Sequence, residues 1–192
     1  MTSLETIKTR LRLAATINDA MADAGAESIA AAADLITVAL RGGRKLLLCG
    51  NGGSAADCQH MAAELIGRLT REMDRPGLPA IALTTDTSFL TAYANDVGFD
   101  AVFARQVQAL GAAGDVLIAI STSGSSRNVL AAVEEAHRKG LSVVALLGEE
   151  GPLATSADVA IRVPTRDTQL IQQVHLAVEH LLCHLVERAL YA

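Results

Sequence analysis

Residues 45–64 read KLLLCGNGGSAADCQHMAAE, and the fold turns on this stretch. A short apolar run, Leu46-Leu47-Leu48-Cys49, stops at the turn Gly50-Asn51-Gly52-Gly53-Ser54, and a helix-compatible segment carrying His60 and Glu64 follows. Strand, tight turn, helix N-terminus is the order in which parallel α/β sheets hold anionic ligands. Glycines let a ligand approach backbone N–H groups, and the helix dipole favours its negative charge. His60 and Glu64 stand four residues apart and so share one helix face. They read as a metal or acid–base pair. A plain βα turn before a core helix with one buried histidine accounts for the same residues. The spacing matches neither the dinucleotide fingerprint nor the P-loop.

Outward from this segment the chain repeats the strand–helix alternation. Apolar β-like runs occur at Lys45–Cys49, Ala80–Leu83, Val116–Ile120, Val143–Leu147 and Val159–Val163. Helical patterns cover Ala55–Thr70, Val102–Leu110, Asn128–Lys139 and Thr168–Tyr191. Alternating strands and helices predict βα units, right-handed crossovers and a parallel sheet covered on both faces: an α/β, doubly wound sandwich. Residues 4–40 read as helix, with Gly25 as a break or bend, and the segment 1–41 is expected to pack on the domain or on a neighbouring subunit. With no repeat or linker, residues 1–192 form one domain. The last helix is apolar along one side (Ile171, Leu176, Leu181, Leu185), a face for the body or another subunit.

The totals fit this picture. At 51% hydrophobic and 19% charged residues, the 192-residue chain has the composition of a globule. A net charge of −5 and the lack of any basic run give no attraction for nucleic acid or an anionic membrane. No apolar stretch reaches the ~18 residues that span a bilayer. Cys49, Cys58 and Cys183 show no CxxC spacing and read as reduced, buried thiols of a cytoplasmic protein.

A second loop repeats the logic of the first. Strand Asp115–Ile120 runs into Ser121-Thr122-Ser123-Gly124-Ser125-Ser126, and a helix begins near Asn128. Hydroxyls around a glycine between strand end and helix start suit a phosphate without any lysine. The plainer alternative is that Ser125 or Ser126 caps the next helix. Farther along, AYANDVGF reads as a polar turn, with Asn95 and Asp96 as hydroxyl partners or simple turn formers. Arg68, in LIGRLT, fits either a phosphate contact or a surface ion pair.

GNGGSAADCQHMAAE together with STSGSSRNVL resembles the sugar isomerase (SIS) domain. The fuller match, which adds RPGLPAIALTTDTSFLTAYANDVGF and IQQVHLAVEH, is to the phosphoheptose isomerase family within it and covers nearly the whole chain. The resemblance implies a three-layer sandwich on a five-stranded parallel sheet. It also implies a divalent metal, assigned as zinc, on His60, Glu64, Gln172 and His180. Histidine and carboxylate are ordinary zinc ligands, whereas a glutamine carbonyl is a weaker donor.

Spacing does not select this set. Gln172 and His180 lie ~12 Å apart along a helix axis, and His184, one turn from His180, is an equal candidate on position alone. The resemblance selects His180 and leaves His137, His175 and His184 to packing or surface roles. It further implies proton transfer by Glu64 and His180. Substrate contacts would come from Asn51, Gly52, Gly53, Glu64, Asn95, Asp96, Ser121, Thr122, Ser123, Ser126 and Gln172.

The expected reaction is the interconversion of D-sedoheptulose 7-phosphate and D-glycero-D-manno-heptose 7-phosphate by a cytoplasmic homotetramer that serves bacterial heptose synthesis. A non-catalytic SIS protein that binds a replication initiator is the rival reading. Retention of His60, Glu64, Gln172 and His180 argues against it. An SIS phosphosugar sensor would usually carry an attached DNA-binding domain, for which this chain leaves no clear room.

Overall fold

Leu46, Leu47, Leu48 and Cys49 are all inaccessible to solvent, so this strand is buried on both faces, as a central parallel strand must be. The computed structural model describes residues 1–192. Two N-terminal helices, α1 (Ser3–Ala24) and α2 (Ala26–Arg41), precede β1 (Leu46–Gly50) and α3 (Gly53–Ile66). There follow β2 (Ala80–Ala82), α4 (Thr87–Asp96), a 3-10 turn (Phe99–Ala101), α5 (Val102–Leu110) and β3 (Val116–Ser121). The chain ends with α6 (Arg127–Arg138), β4 (Ser142–Leu147), the single turn α7 (Leu153–Ser156), β5 (Val159–Arg162) and α8 (Thr168–Tyr191).

The sheet is wholly parallel, in the order β2-β1-β3-β4-β5. Side chains along each strand alternate between two cores. Leu46, Leu48, Ile118, Ile120 and Leu146 pack with α2, α3 and α8, while Leu47, Cys49, Leu117, Ala119 and Val143 pack with α5 and α6. Each fully buried leucine or isoleucine contributes ~1.5–3 kcal/mol. This is the expected three-layer, doubly wound α/β sandwich.

After β1 the chain turns one way to β2, and β3 then enters on the other side of β1. The carboxyl ends of β1 and β3 therefore flank a topological switch point, where open α/β sheets bind ligands. Both glycine- and serine-rich loops of the sequence stand at that crevice.

Some boundaries and elements differ from the sequence pattern. Helix α3 begins at Gly53 and ends at Ile66, not at Thr70, because Gly67 caps it through a bond from its N–H to Ala63 O. AYANDVGF is not a polar turn: Asn95 and Asp96 form the last turn of α4. That helix is started by the Asp86 carboxylate, which accepts from Phe89 N, and the Phe89 and Tyr93 rings stack at 5.2 Å within it. Gly25 alone separates α1 from α2. Helix α2 is docked on the body, whereas α1 leaves Leu4, Ile7 and Leu11 exposed. All three cysteines are free and buried, and no helix is long and apolar enough to cross a membrane.

Candidate active site

The turn after β1 has the backbone geometry that an anion cradle needs. Gly52 has φ +58, a left-handed value that favours glycine, and it precedes α3 with no side chain capping the helix. The serine loop gives α6 the same character. Ser126 occupies the N-cap position of α6, yet no side chain caps that helix. Its hydroxyl lies 2.9 Å from Ser121 Oγ, and Ser123 Oγ accepts from Ser125 Oγ at 3.0 Å. Capping is therefore not what Ser126 does. Two helix N-termini, each carrying partial positive charge, face one crevice.

Reciprocal amide bonds join the two loops: Asn51 Nδ2 donates to Asn128 Oδ1 and Asn128 Nδ2 to Asn51 Oδ1, both at 2.9 Å. Between the loops lies a cleft of about 270 Å³ lined by Asn51, Gly52, Gly53, Ser54, Ile120, Ser121, Thr122, Ser126, Thr168 and Gln172. Gln172 sits tightly on α3: a Cβ added to Gly53 would fall 2.2 Å from Gln172 Nε2. Thr122, Ser123 and Arg166 border an adjoining polar hollow, where Arg166 pairs with Glu149 and Glu150.

Along α3 and α8, ligand-type side chains converge. His60 Nε2 lies 2.8 Å from His180 Nε2 and 3.8 Å from Glu64 Oε1, and all three ligand atoms fall within 4.8 Å of one another. In a tetrahedral site with Zn–N bonds of ~2.0–2.1 Å the two nitrogens would stand ~3.3 Å apart, so a small opening of the imidazole pair admits a cation. The 2.8 Å contact itself is that of one ring N–H donating to the other ring's nitrogen, the roles depending on the tautomer. The group is partly open to solvent, as a reacting site must be; the His60 side chain is 38% accessible.

Behind this group lies a buried polar set that sequence reasoning did not single out. Burial, reinforced by the nearby Asp57 charge, pushes the Glu179 carboxyl up to about 9, so it is neutral at pH 7. Burial also raises Asp57 to about 6, opposed by His60. Asp57 stands three residues before His60 on the same helix face, a spacing visible in the sequence. His175 is buried against Leu147 O at 3.3 Å, the packing role expected of it, and burial lowers its pKa to about 4.

The placement of the other candidates is uneven. Asn51, Gly52, Gly53, Ser121, Thr122, Ser126 and Gln172 line the cleft. Ser123 borders the hollow beside it, and His60, Glu64 and His180 form the ligand group. Asn95 and Asp96 do not line the cleft; they are exposed on α4, where Asn95 Nδ2 donates to Asp96 Oδ1 at 2.8 Å. Arg68 is exposed.

A family model described as the SIS domain matches residues 11–148. A phosphoheptose isomerase of Rhodospirillum rubrum is 58% identical over 166 residues, which cover 86% of this chain and 87% of the relative. The chain belongs to the phosphoheptose isomerase family. A second member, from Geobacter metallireducens, is 51% identical over 97% of this chain and 98% of its own length. Among solved structures, the phosphoheptose isomerase of Francisella tularensis superposes with a TM-score of 0.94 at 41% identity, covering 98% of this chain and all of that one. That of Neisseria gonorrhoeae gives 0.91 at 42% identity, covering 97% of this chain and all of its own. The likeness to phosphoheptose isomerases therefore also includes β5 and α8, which lie beyond the residues matched by the SIS model.

Proposed function

We infer that the protein is a phosphosugar isomerase that converts D-sedoheptulose 7-phosphate to D-glycero-D-manno-heptose 7-phosphate. The observation that carries this reading is the juxtaposition of an uncapped two-helix phosphate cleft with the His60–Glu64–His180 group, in a chain of this family. The rival reading as a replication regulator draws no support from these relatives.

In the proposed reaction the phosphate rests on the serine loop and the N-termini of α3 and α6. Glu64 removes a proton from the hydroxymethyl carbon next to the ketone, and the electron pair moves into an enediolate. His180 transfers protons between the two oxygens, and return of a proton to the former carbonyl carbon completes the aldose. A carboxylate at carbon and an imidazole at oxygen suit these two tasks. His60, Glu64 and His180, with Gln172 as the fourth donor, would hold zinc, whose chemistry when bound is to polarise the carbonyl and stabilise the oxyanion. The functional species is a homotetramer, supported by the uncovered apolar side of α1 and by Leu181 and Leu185 on α8. We place it in the cytoplasm, as its free thiols suggest, serving heptose synthesis.

The test is conversion of sedoheptulose 7-phosphate by zinc-loaded protein, followed by NMR, with Glu64→Gln at equal metal content. Gln keeps the size of the side chain but not its basicity, so turnover and solvent deuterium exchange should fall ~10²–10⁴-fold while substrate still binds. Exchange at the wild-type rate would leave Glu64 without a role as base.

A further inference from the structure

Arg75 lies in the loop between α3 and β2, and its side chain is inaccessible to solvent. Its guanidinium donates from Nε to Glu187 Oε1 at 2.8 Å, and Nη2 approaches the same oxygen at 2.6 Å. Nη2 also donates to Glu64 O at 2.9 Å, and Nη1 donates to Leu65 O at 2.8 Å and Pro76 O at 3.0 Å. Glu187 is itself buried, and its Oε1 accepts from Leu69 N at 3.0 Å.

We propose that Arg75 is a positioning residue that locks the C-terminal turn of α3 to α8 and so sets the distance between the His60–Glu64 pair and His180. This rests on the reading of those three residues as a metal site. The carbonyls of Glu64 and Leu65 belong to the last turn of α3, beyond the reach of a further helical N–H, and a cation favours that end of the dipole. Leu65 O also accepts from Leu78 N at 3.0 Å, so Glu64 O is the carbonyl that depends on Arg75. Arg75 thus holds the backbone of a residue whose own carboxylate faces the histidines. Glu187 follows His180 by seven residues, about two turns along one face of α8.

The guanidinium therefore joins one ligand-bearing residue to the helix face that bears another. Only arginine presents enough N–H groups in a fixed fork to serve Glu187 and both carbonyls together. A buried ion pair is a poor device for stability alone, since apolar packing of similar volume often does as well. Holding a geometry is what this one offers.

The experiment measures zinc affinity of the full-length protein by competition with a chromophoric chelator, beside kcat and KM. Arg75→Gln should weaken zinc binding and lower kcat by ~10-fold each, the scale of supporting contacts around metal ligands. KM should stay within about threefold, because the serine loop is untouched. Arg75→Lys, which recovers part of the contact, should fall between. Glu187→Gln, which keeps the shape and the acceptor for Leu69 N, should weaken zinc in the same direction and guards against Arg75→Gln failing to fold. Lys45→Met is the stability control: it breaks the 2.5 Å pair with Asp115 at the opposite end of the strands and should leave zinc affinity unchanged.

Wild-type zinc affinity in the folded Arg75 and Glu187 variants would overturn the proposal, as would an equal loss in Lys45→Met. A wild type that binds zinc but does not isomerise the heptose phosphate overturns only the functional reading, because the affinity series still decides the lock. A wild type that binds no zinc overturns the lock and the metal reading together.

Discussion

Gly53→Ala separates the fold from the site with one carbon atom. The added Cβ would stand 2.2 Å from Gln172 Nε2, 2.6 Å from Cδ and 2.8 Å from Oε1. Ordinary carbon contacts need ~3.5–4.0 Å, so the amide nitrogen must retreat by ~1.3–1.8 Å. It is the mobile end of a side chain at the rim of a cleft and can do so. Gly53 is helical with no positive φ, and alanine in a helix gains up to ~0.5–1 kcal/mol over glycine, so stability should hold or rise.

A retreat of that size breaks any hydrogen bond or metal contact the amide makes. For a bond to a charged partner this loses about 1.5–3 kcal/mol, or ~10- to 150-fold in kcat/KM. The assay is a double-mutant cycle: kcat/KM and thermal midpoint for Gly53→Ala, Gln172→Ala and the pair. The two single losses should not add, because the methyl acts only through an amide that the double variant lacks. Full additivity, or wild-type kcat/KM in Gly53→Ala, would refute the reasoning.

Other consequences are simpler to check. His60→Ala should lower bound zinc by elemental analysis, since it removes a nitrogen ligand that Gln172 does not replace; equal metal content would make His60 a packing residue. Ser123→Ala should weaken phosphosugar binding in calorimetric titration by about 1.5–3 kcal/mol with little loss of thermal stability. This exposed hydroxyl caps no helix, and its bonds, to Ser121 Oγ and to Ser125 N and Oγ, stay within its own loop. His175 stays neutral in the fold down to about 4, whereas the unfolded chain protonates it below its ordinary 6.5. Its contribution to stability is therefore complete above pH 6.5 and is lost as pH falls toward 4. His175→Gln, which keeps a donor for Leu147 O, should gain stability relative to wild type, on the order of 2–3 kcal/mol, in urea unfolding as pH falls from 7.5 to 4.5. An unchanged difference would mean that His175 is not excluded from water.

The parts of the molecule legible in the sequence are those set by local pattern. Leu46–Cys49 with its glycine turn, and Val116–Ile120 with its serine turn, announced both the parallel sheet and the crevice. His60 and Glu64 shared a face by spacing alone. His180 needed the resemblance, because nothing local distinguishes it from His184 one turn on.

Helix α4 is not legible in AYANDVGF because Asn95-Asp96 shortly before a glycine has turn composition, whereas the capping by Asp86 and the Phe89–Tyr93 stack that sustain the helix lie earlier. Arg75 was invisible for a different reason. In the loop around REMDRPG two arginines look alike, and only Glu187, 112 residues away, makes one of them an interior residue. Burial of Glu179 depends likewise on which face of α8 meets α3, a fact no local window contains.

The paired amides of Asn51 and Asn128 have one more effect. A flexible loop must surrender conformational freedom when it closes on a ligand, and that loss is subtracted from affinity. Here the two strand-end loops are already fastened to each other across the mouth of the sheet, so neither can swing as a separate flap. In the proposed reaction an incoming phosphate would find its seat assembled, and its arrival would be governed by diffusion and charge, with little waiting for the protein to rearrange.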